Sequence, residues 1–177
     1  MPSVVPKCNA NFGEQNFMSI IGIVAVDRNG AIGKGGAIPW HYSADMKFFR
    51  EQTTGHACVM GRRTWASLKK PLKERLNIVL SRSGEAGAAN AENVLFLPDE
   101  RSVLALAPYL SCHLYIIGGE QIYRAFQPVV ERWIVTEIPL SIDGADTFMP
   151  ENYLQNFKPQ RSLSLADELQ VTFYDRT

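Results

Sequence analysis

The chain has 177 residues, 46% of them hydrophobic and 20% charged, with 18 basic and 18 acidic side chains in balance. That length fits one compact domain, and that composition excludes an intrinsically disordered chain. Zero net charge removes the electrostatic footprint of a nucleic-acid binder, and with no polybasic run and no apolar stretch of transmembrane length there is no signal for a membrane partner.

Residues 1–17, MPSVVPKCNANFGEQNF, carry no apolar signal core and no arginine-rich amphipathic pattern. They are expected to form a flexible tail ahead of a single domain spanning 18–177. From Ser19, SIIGIVAV is a nearly continuous apolar run of β-branched character, the pattern of a strand buried on both faces. Asp27–Gly30 is a turn signal, and a glycine-rich loop follows it. A helix is expected from Ser43 to about Gln52, with Ser43 placed to cap it and Asp45 in its first turn. ACVM (57–60) is a second strand, and GRRTWASL (61–68) turns helical after its glycine. LNIVLS (76–81) and VLFL (94–97) are further strands. Asp99 to Leu110 has helical spacing, with Val103, Leu104, Ala107 and Leu110 on one stripe. HLYIIGG (113–119) is a strand and EQIYRAF (120–126) a helix. ERWIVTEI (131–138) is a strand, and LQVTFYD (169–175) alternates as an antiparallel edge strand does. Strands and helices in alternation predict an α/β fold, a central, mostly parallel but mixed sheet with helices on both faces.

Cys8, Cys58 and Cys112 fall at unrelated spacings with no Cys-x-x-Cys, and His41, His56 and His113 are scattered. Neither a metal site nor a disulfide framework is indicated, which suits a reduced, cytoplasmic protein. Cys58 and Cys112 are expected to be small core residues.

In open α/β sheets ligands bind at the carboxyl ends of the strands. Three expected strand ends carry unusual residues. Met60-Gly-Arg-Arg-Thr64 joins a strand to a helix through two arginines, Leu80-Ser-Arg-Ser83 sets a guanidinium between hydroxyls, and Ile116-Ile-Gly-Gly-Glu-Gln-Ile-Tyr123 opens a helix after two glycines. Each has an ordinary alternative: a solvated basic turn, a polar loop, a tight turn. Together they suit a nucleotide with two separated phosphate groups, and NADPH has a pyrophosphate and a 2′-phosphate. The Gly-x-Gly-x-x-Gly fingerprint is absent, and so is the phosphate loop of a kinase.

AVDRNGAIG, IPW, Asp45 ahead of two phenylalanines, MGRRTW, LSRS, IIGGEQIY, WIVTEI and DTFMP occur in that order. The ordered set resembles dihydrofolate reductase of the bacterial chromosomal kind, from residue 18 to about 175. The resemblance implies an eight-stranded sheet and NADPH-dependent reduction of 7,8-dihydrofolate to tetrahydrofolate in one-carbon metabolism. By position it implies Asp45 as the active-site carboxylate, Thr136 as its hydrogen-bonding partner and Trp40 as the side chain ordering a site water. Substrate contacts would be Ile21, Ile23, Asp45, Met46, Phe49, Leu72, Arg75, Ile117 and Thr136, with Arg75 on the glutamate α-carboxylate. Cofactor contacts would be Ala25, Ile32, Gly33, Arg62, Arg63, Thr64, Ser81, Arg82, Ile117, Gly118, Gly119, Glu120, Gln121 and Tyr123. It also implies a monomer that binds its small-molecule substrate and antifolate inhibitors but neither nucleic acid nor membrane. Ser43 stands where many relatives have proline, Met46 where leucine is frequent, and Gly35 and Gly36 predict a looser lid loop.

Asp45, Phe48 and Phe49 are spaced i, i+3 and i+4, so acid and aromatics can share a helix face. Apolar walls raise a carboxyl pKa by desolvating its charged form. On the resemblance, Asp45 would orient the pterin and favour its protonated form, with water as the carrier of the final proton. Two rivals share the cofactor turns. A reductase of a ribosylated pyrimidine in riboflavin synthesis would not need Asp45 beneath Phe49 or Arg75, and a nucleotide-binding module would bind NADPH without turnover.

Overall fold

The computed structural model describes residues 18–82 and 92–177. The tail with Cys8, and Ser83 of the second turn, lie outside the described residues. In chain order the elements are β1 (Ile20–Val26), β2 (Ala31–Gly33), α1 (Ser43–Thr53), β3 (Ala57–Gly61), α2 (Arg62–Ser67), β4 (Leu76–Leu80), β5 (Val94–Leu97), α3 (Glu100–Leu106), a 3-10 turn (Ala107–Tyr109), β6 (Leu114–Ile116), α4 (Glu120–Phe126), β7 (Arg132–Glu137), β8 (Thr147–Phe148), β9 (Phe157–Ser164) and β10 (Gln170–Arg176). Eight strands form one sheet in the order β5-β4-β3-β6-β1-β7-β10-β9. All pairings from β5 to β7 are parallel, whereas β10 runs antiparallel to both β7 and β9.

The apolar strands are buried on both sides because side chains alternate between the faces of a strand. Ile20, Val24 and Val26 of β1 join Ala57 and Val59 of β3 in a core closed by Val103 of α3 and by Tyr123 and Phe126 of α4. Ile21 and Ile23 point the other way, with Cys58, Met60 and Ile134, into a core closed by Phe48 of α1 and flanked by Phe49 and Trp65. Gly22 belongs to the first face. A Cβ there would stand 2.2 Å from the Trp133 ring, so only glycine lets that fully buried indole lie flat on β1. Cys58 and Cys112 are both buried, as expected of core residues.

Four local expectations need correction. Ser43 is the first helical residue of α1, not its cap, because Tyr42 holds the extended cap conformation. The segment after Asp99 breaks into α3 and a 3-10 turn, where Pro108 cannot donate to an α-helical ladder. Asp99 caps α3 by accepting from the Ser102 amide at 2.9 Å. The strand expected over 113–119 ends at Ile116, and Ile117 to Gly119 form the turn. The alternating C-terminal strand is antiparallel, yet it is not the edge, since β9 covers it. β9 (FKPQRSLS) is mostly exposed, with Pro159 and several polar residues, the composition by which edge strands avoid pairing with other chains. The two-stranded ribbon of β2 and β8 was not foreseen; its strands have three and two residues, too few to show a period.

Candidate active site

Helix α1 is the spine of the site. Phe48 anchors it, buried edge-on against Phe173 with ring centroids 6.3 Å apart. Asp45, Phe49 and Thr53 then lie within an arc of about 80° on one side of the helix, and Asp45 and Thr53 are about 12 Å apart along its axis. Strand parity brings Ile21, Ile23 and Thr136 to the sheet face that α1 covers, because Thr136 lies two residues from Ile134 on β7. Burial pushes the Asp45 carboxyl above its ordinary range, and the neighbouring Thr136 hydroxyl opposes that shift only in part. Phe49, Leu72 and Ile117 are half-buried beside the same core, while Met46 is 57% exposed. The Trp40 Nε1 is buried and has no partner among the described residues.

At the far end of α1, Arg75 is 9% exposed. Its Nε donates to the Lys73 carbonyl at 2.9 Å and its Nη1 to the Thr53 hydroxyl at 3.1 Å. Among the described residues no carboxylate forms a salt bridge with it. Burial lowers its pKa, Cys58 and Glu74 oppose this, and the nearby charge of Arg50 adds to the lowering. Arginine nevertheless remains a cation. A buried guanidinium with no salt bridge among the described residues, and a second arginine acting on it, favours the arrival of an anion.

The three turns stand side by side because β4, β3 and β6 are neighbours in the sheet. The Gly61 amide donates to the Gly118 carbonyl at 2.9 Å, tying the first turn to the third. Arg62, Arg63 and Arg82 are exposed and have no salt bridge among the described residues. Ser81 is 7% exposed, with its amide donating to the Leu97 carbonyl. Gly118 takes a φ of 111°, and the Gly118–Gly119 peptide is cis. A Cβ on Gly118 would stand 3.2 Å from the Tyr123 ring, so the absent side chain is what lets that ring lie against the turn.

Other sequence-derived positions are more fully engaged than expected. Tyr123 belongs to the core on the opposite face, tilted against Trp133 with ring centroids 5.7 Å apart, and its hydroxyl donates to the Ile23 carbonyl at 2.8 Å. Glu120 is held by Arg124 at 2.7 Å. Ile32 packs on the opposite core, Gly33 is buried in β2, and Gln121 is exposed. The glycine-rich loop is tied down: the Gly35 amide donates to Asp146 at 2.7 Å and the Lys34 ammonium to the Asp143 carbonyl at 2.6 Å.

The comparisons with known proteins bear on this arrangement directly. The dihydrofolate reductase family model matches residues 19–175. This chain belongs to the dihydrofolate reductase family. Dihydrofolate reductase from Neisseria gonorrhoeae is 42% identical over 136 residues, which is 76% of this chain and 81% of that protein. The Mycobacterium leprae enzyme is 42% identical over 68% of this chain and 73% of its own length. A solved dihydrofolate reductase from Enterococcus faecalis, complexed with NADP(H) and RAB-propyl, superposes with a TM-score of 0.81 at 29% identity, covering 90% of this chain and 96% of that one.

For a dihydrofolate reductase cofactor, the donor set fits. Arginines without a salt bridge among the described residues flank strand ends, and a side-chain-free turn adjoins Thr64, whose hydroxyl is 3.7 Å from where a Gly119 Cβ would be. The sequence pattern did not single out Asp27, Arg50 or Thr53. Asp27 is 4% exposed and accepts the amides of Asn29, Ala31 and Ile142, each at 2.8 Å, which ties the start of the glycine loop to the segment between β7 and β8. Burial raises its pKa, but those three bonds outweigh it and the net shift is downward. Its only signal in the sequence was a turn-forming acid. Thr53 carried none beyond its place one residue past the expected helix end.

Proposed function

We propose that this chain reduces 7,8-dihydrofolate to 5,6,7,8-tetrahydrofolate, with Asp45 as the group that orients and polarises the pterin. The observation that carries this reading is a desolvated acid with a threonine partner, on the same helix face as Phe49 and about 12 Å along the axis from the Thr53–Arg75 end. NADPH, when bound, supplies the hydride that reaches pterin C6, while N5 gains a proton.

The chain's own residues do the rest. Asp45 accepts charge-assisted hydrogen bonds from the amidine-like edge of the pterin and fixes its orientation. Its raised pKa makes a proton easier to keep at that edge, which favours protonated substrate. The unpartnered Trp40 Nε1 donates to a water that carries the proton towards N5. Phe49 walls the ring system, Arg75 holds the glutamate α-carboxylate, and Arg62, Arg63, Thr64, Ser81 and Arg82 hold the cofactor phosphates. The loop tied to Asp146 excludes water from the reacting edge. On this reading the protein works as a monomer in the cytoplasm. It is tested by following NADPH absorbance with 7,8-dihydrofolate and repeating the assay with NADH. Rapid loss with NADPH and slow loss with NADH supports the reading; no loss with either rejects it.

A further inference from the structure

We infer that Thr53 is a positioning residue for the substrate tail, its hydroxyl holding the Arg75 guanidinium in register with Phe49. This rests on the reading of Arg75 and Phe49 given above. Thr53 is fully buried and ends α1. Its hydroxyl donates to the Phe49 carbonyl at 2.8 Å and accepts from Arg75 Nη1 at 3.1 Å. One O–H proton and two lone pairs satisfy both bonds at once. The Cys58 thiol, also fully buried, interacts with the same hydroxyl. A single oxygen therefore links the backbone of the ring wall to the cation of the tail clamp.

The chemistry explains a hydroxyl at this position rather than an acid. With no carboxylate paired to it among the described residues, Arg75 is oriented there by Thr53 and the Lys73 carbonyl. Both acceptors are neutral, so the guanidinium is fixed in direction while its charge is left for an incoming carboxylate. An aspartate here would orient Arg75 equally well but neutralise it. A valine would fill the space and free one arm of the fork, leaving a buried donor without a partner.

The test compares two substrates in the intact enzyme with saturating NADPH: 7,8-dihydrofolate, and 6-methyl-7,8-dihydropterin, which lacks the glutamate tail. Thr53→Val should raise the KM for dihydrofolate about tenfold, as expected for losing a hydrogen bond to a charged group. The kcat and the NADPH Kd should stay within about twofold, and so should kcat/KM for the dihydropterin. Thr53→Ser should restore the dihydrofolate KM. In an Arg75→Leu background the Thr53→Val change should add nothing, because the two act as one unit. Equal losses on both substrates, or a full effect without Arg75, would overturn the inference and reduce Thr53 to a core residue. If Thr53→Val does not fold, Thr53→Cys keeps the volume, weakens the bond and is read by the same two-substrate ratio. A wild-type enzyme inactive on dihydrofolate would instead overturn the underlying reading.

Discussion

Arginine is used in two ways at opposite ends of the parallel strands. At the amino ends, Arg132 is clamped by both oxygens of Asp175, and Arg176 donates to the Val130 carbonyl at 2.7 Å and the Gln127 carbonyl at 2.8 Å while covering the Phe157 ring. At the carboxyl ends, Arg62, Arg63 and Arg82 have no acid partner among the described residues. The first group closes the sheet. The second leaves exposed positive charge beside glycine turns, an arrangement that suits an anion from outside. Arg75 is the informative exception. It precedes β4 at the amino end, yet among the described residues it too forms no salt bridge.

The contrast can be broken by substitution. The largest expected effect is at the pterin end: Asp45→Asn should slow hydride transfer to dihydrofolate by about 100-fold or more in single-turnover measurements. The same change should not lower the Tm at pH 7, because a carboxylate disfavoured by burial is removed. Next, Arg75→Leu should weaken dihydrofolate binding by about 30-fold, within the range for losing one partner of a buried charge pair. Titration of NADPH to the same variant should give an unchanged Kd. Smaller again, Arg62→Ala should cut the preference for NADPH over NADH by about tenfold, an effect that shrinks in high salt.

The smallest effect belongs to the amino end. His56 and His113 stack at 5.0 Å, and each accepts a backbone amide on Nδ1, from His113 and Ser19 respectively, at 3.2 Å. Burial lowers both pKa values, helped by the His113 charge at His56 and by Arg132 at His113, where Glu131 opposes it. The folded protein therefore takes up these protons less readily than the unfolded chain. Their contribution to stability is complete above pH 6.5 and is lost as the pH falls below it. A Tm series from pH 8 to 5 should show this slope, and His56→Gln with His113→Gln should flatten it without changing the KM for either ligand.

The buried half of the architecture was legible because each parallel strand is apolar on both faces, a pattern few other elements produce. The edges were not: β9 is polar and carries a proline, so nothing in its composition distinguishes it from a loop until β10 pairs with it. The site divides along the same line. Asp45, with Phe48 and Phe49 at i+3 and i+4, shows a pattern of its own, whereas Thr136 and Arg75 are singled out only by the family resemblance. Thr53 escaped notice because its role lies in two bonds to residues 4 and 22 positions away, which only the folded chain brings to one oxygen. The resemblance suggests Tyr123 for the cofactor turn; its burial beside Trp133 in the opposite core is a long-range contact without a sequence period.

The most direct test of the central claim is the pH profile of hydride transfer under single turnover, wild type against Asp45→Asn. An acid raised by burial predicts a wild-type rate that climbs as the pH falls, through an ionisation above the ordinary carboxylate range. In Asp45→Asn that ionisation should vanish, leaving a slow rate recovered in part only where the substrate itself is protonated. An unchanged profile and rate in Asp45→Asn would contradict the account.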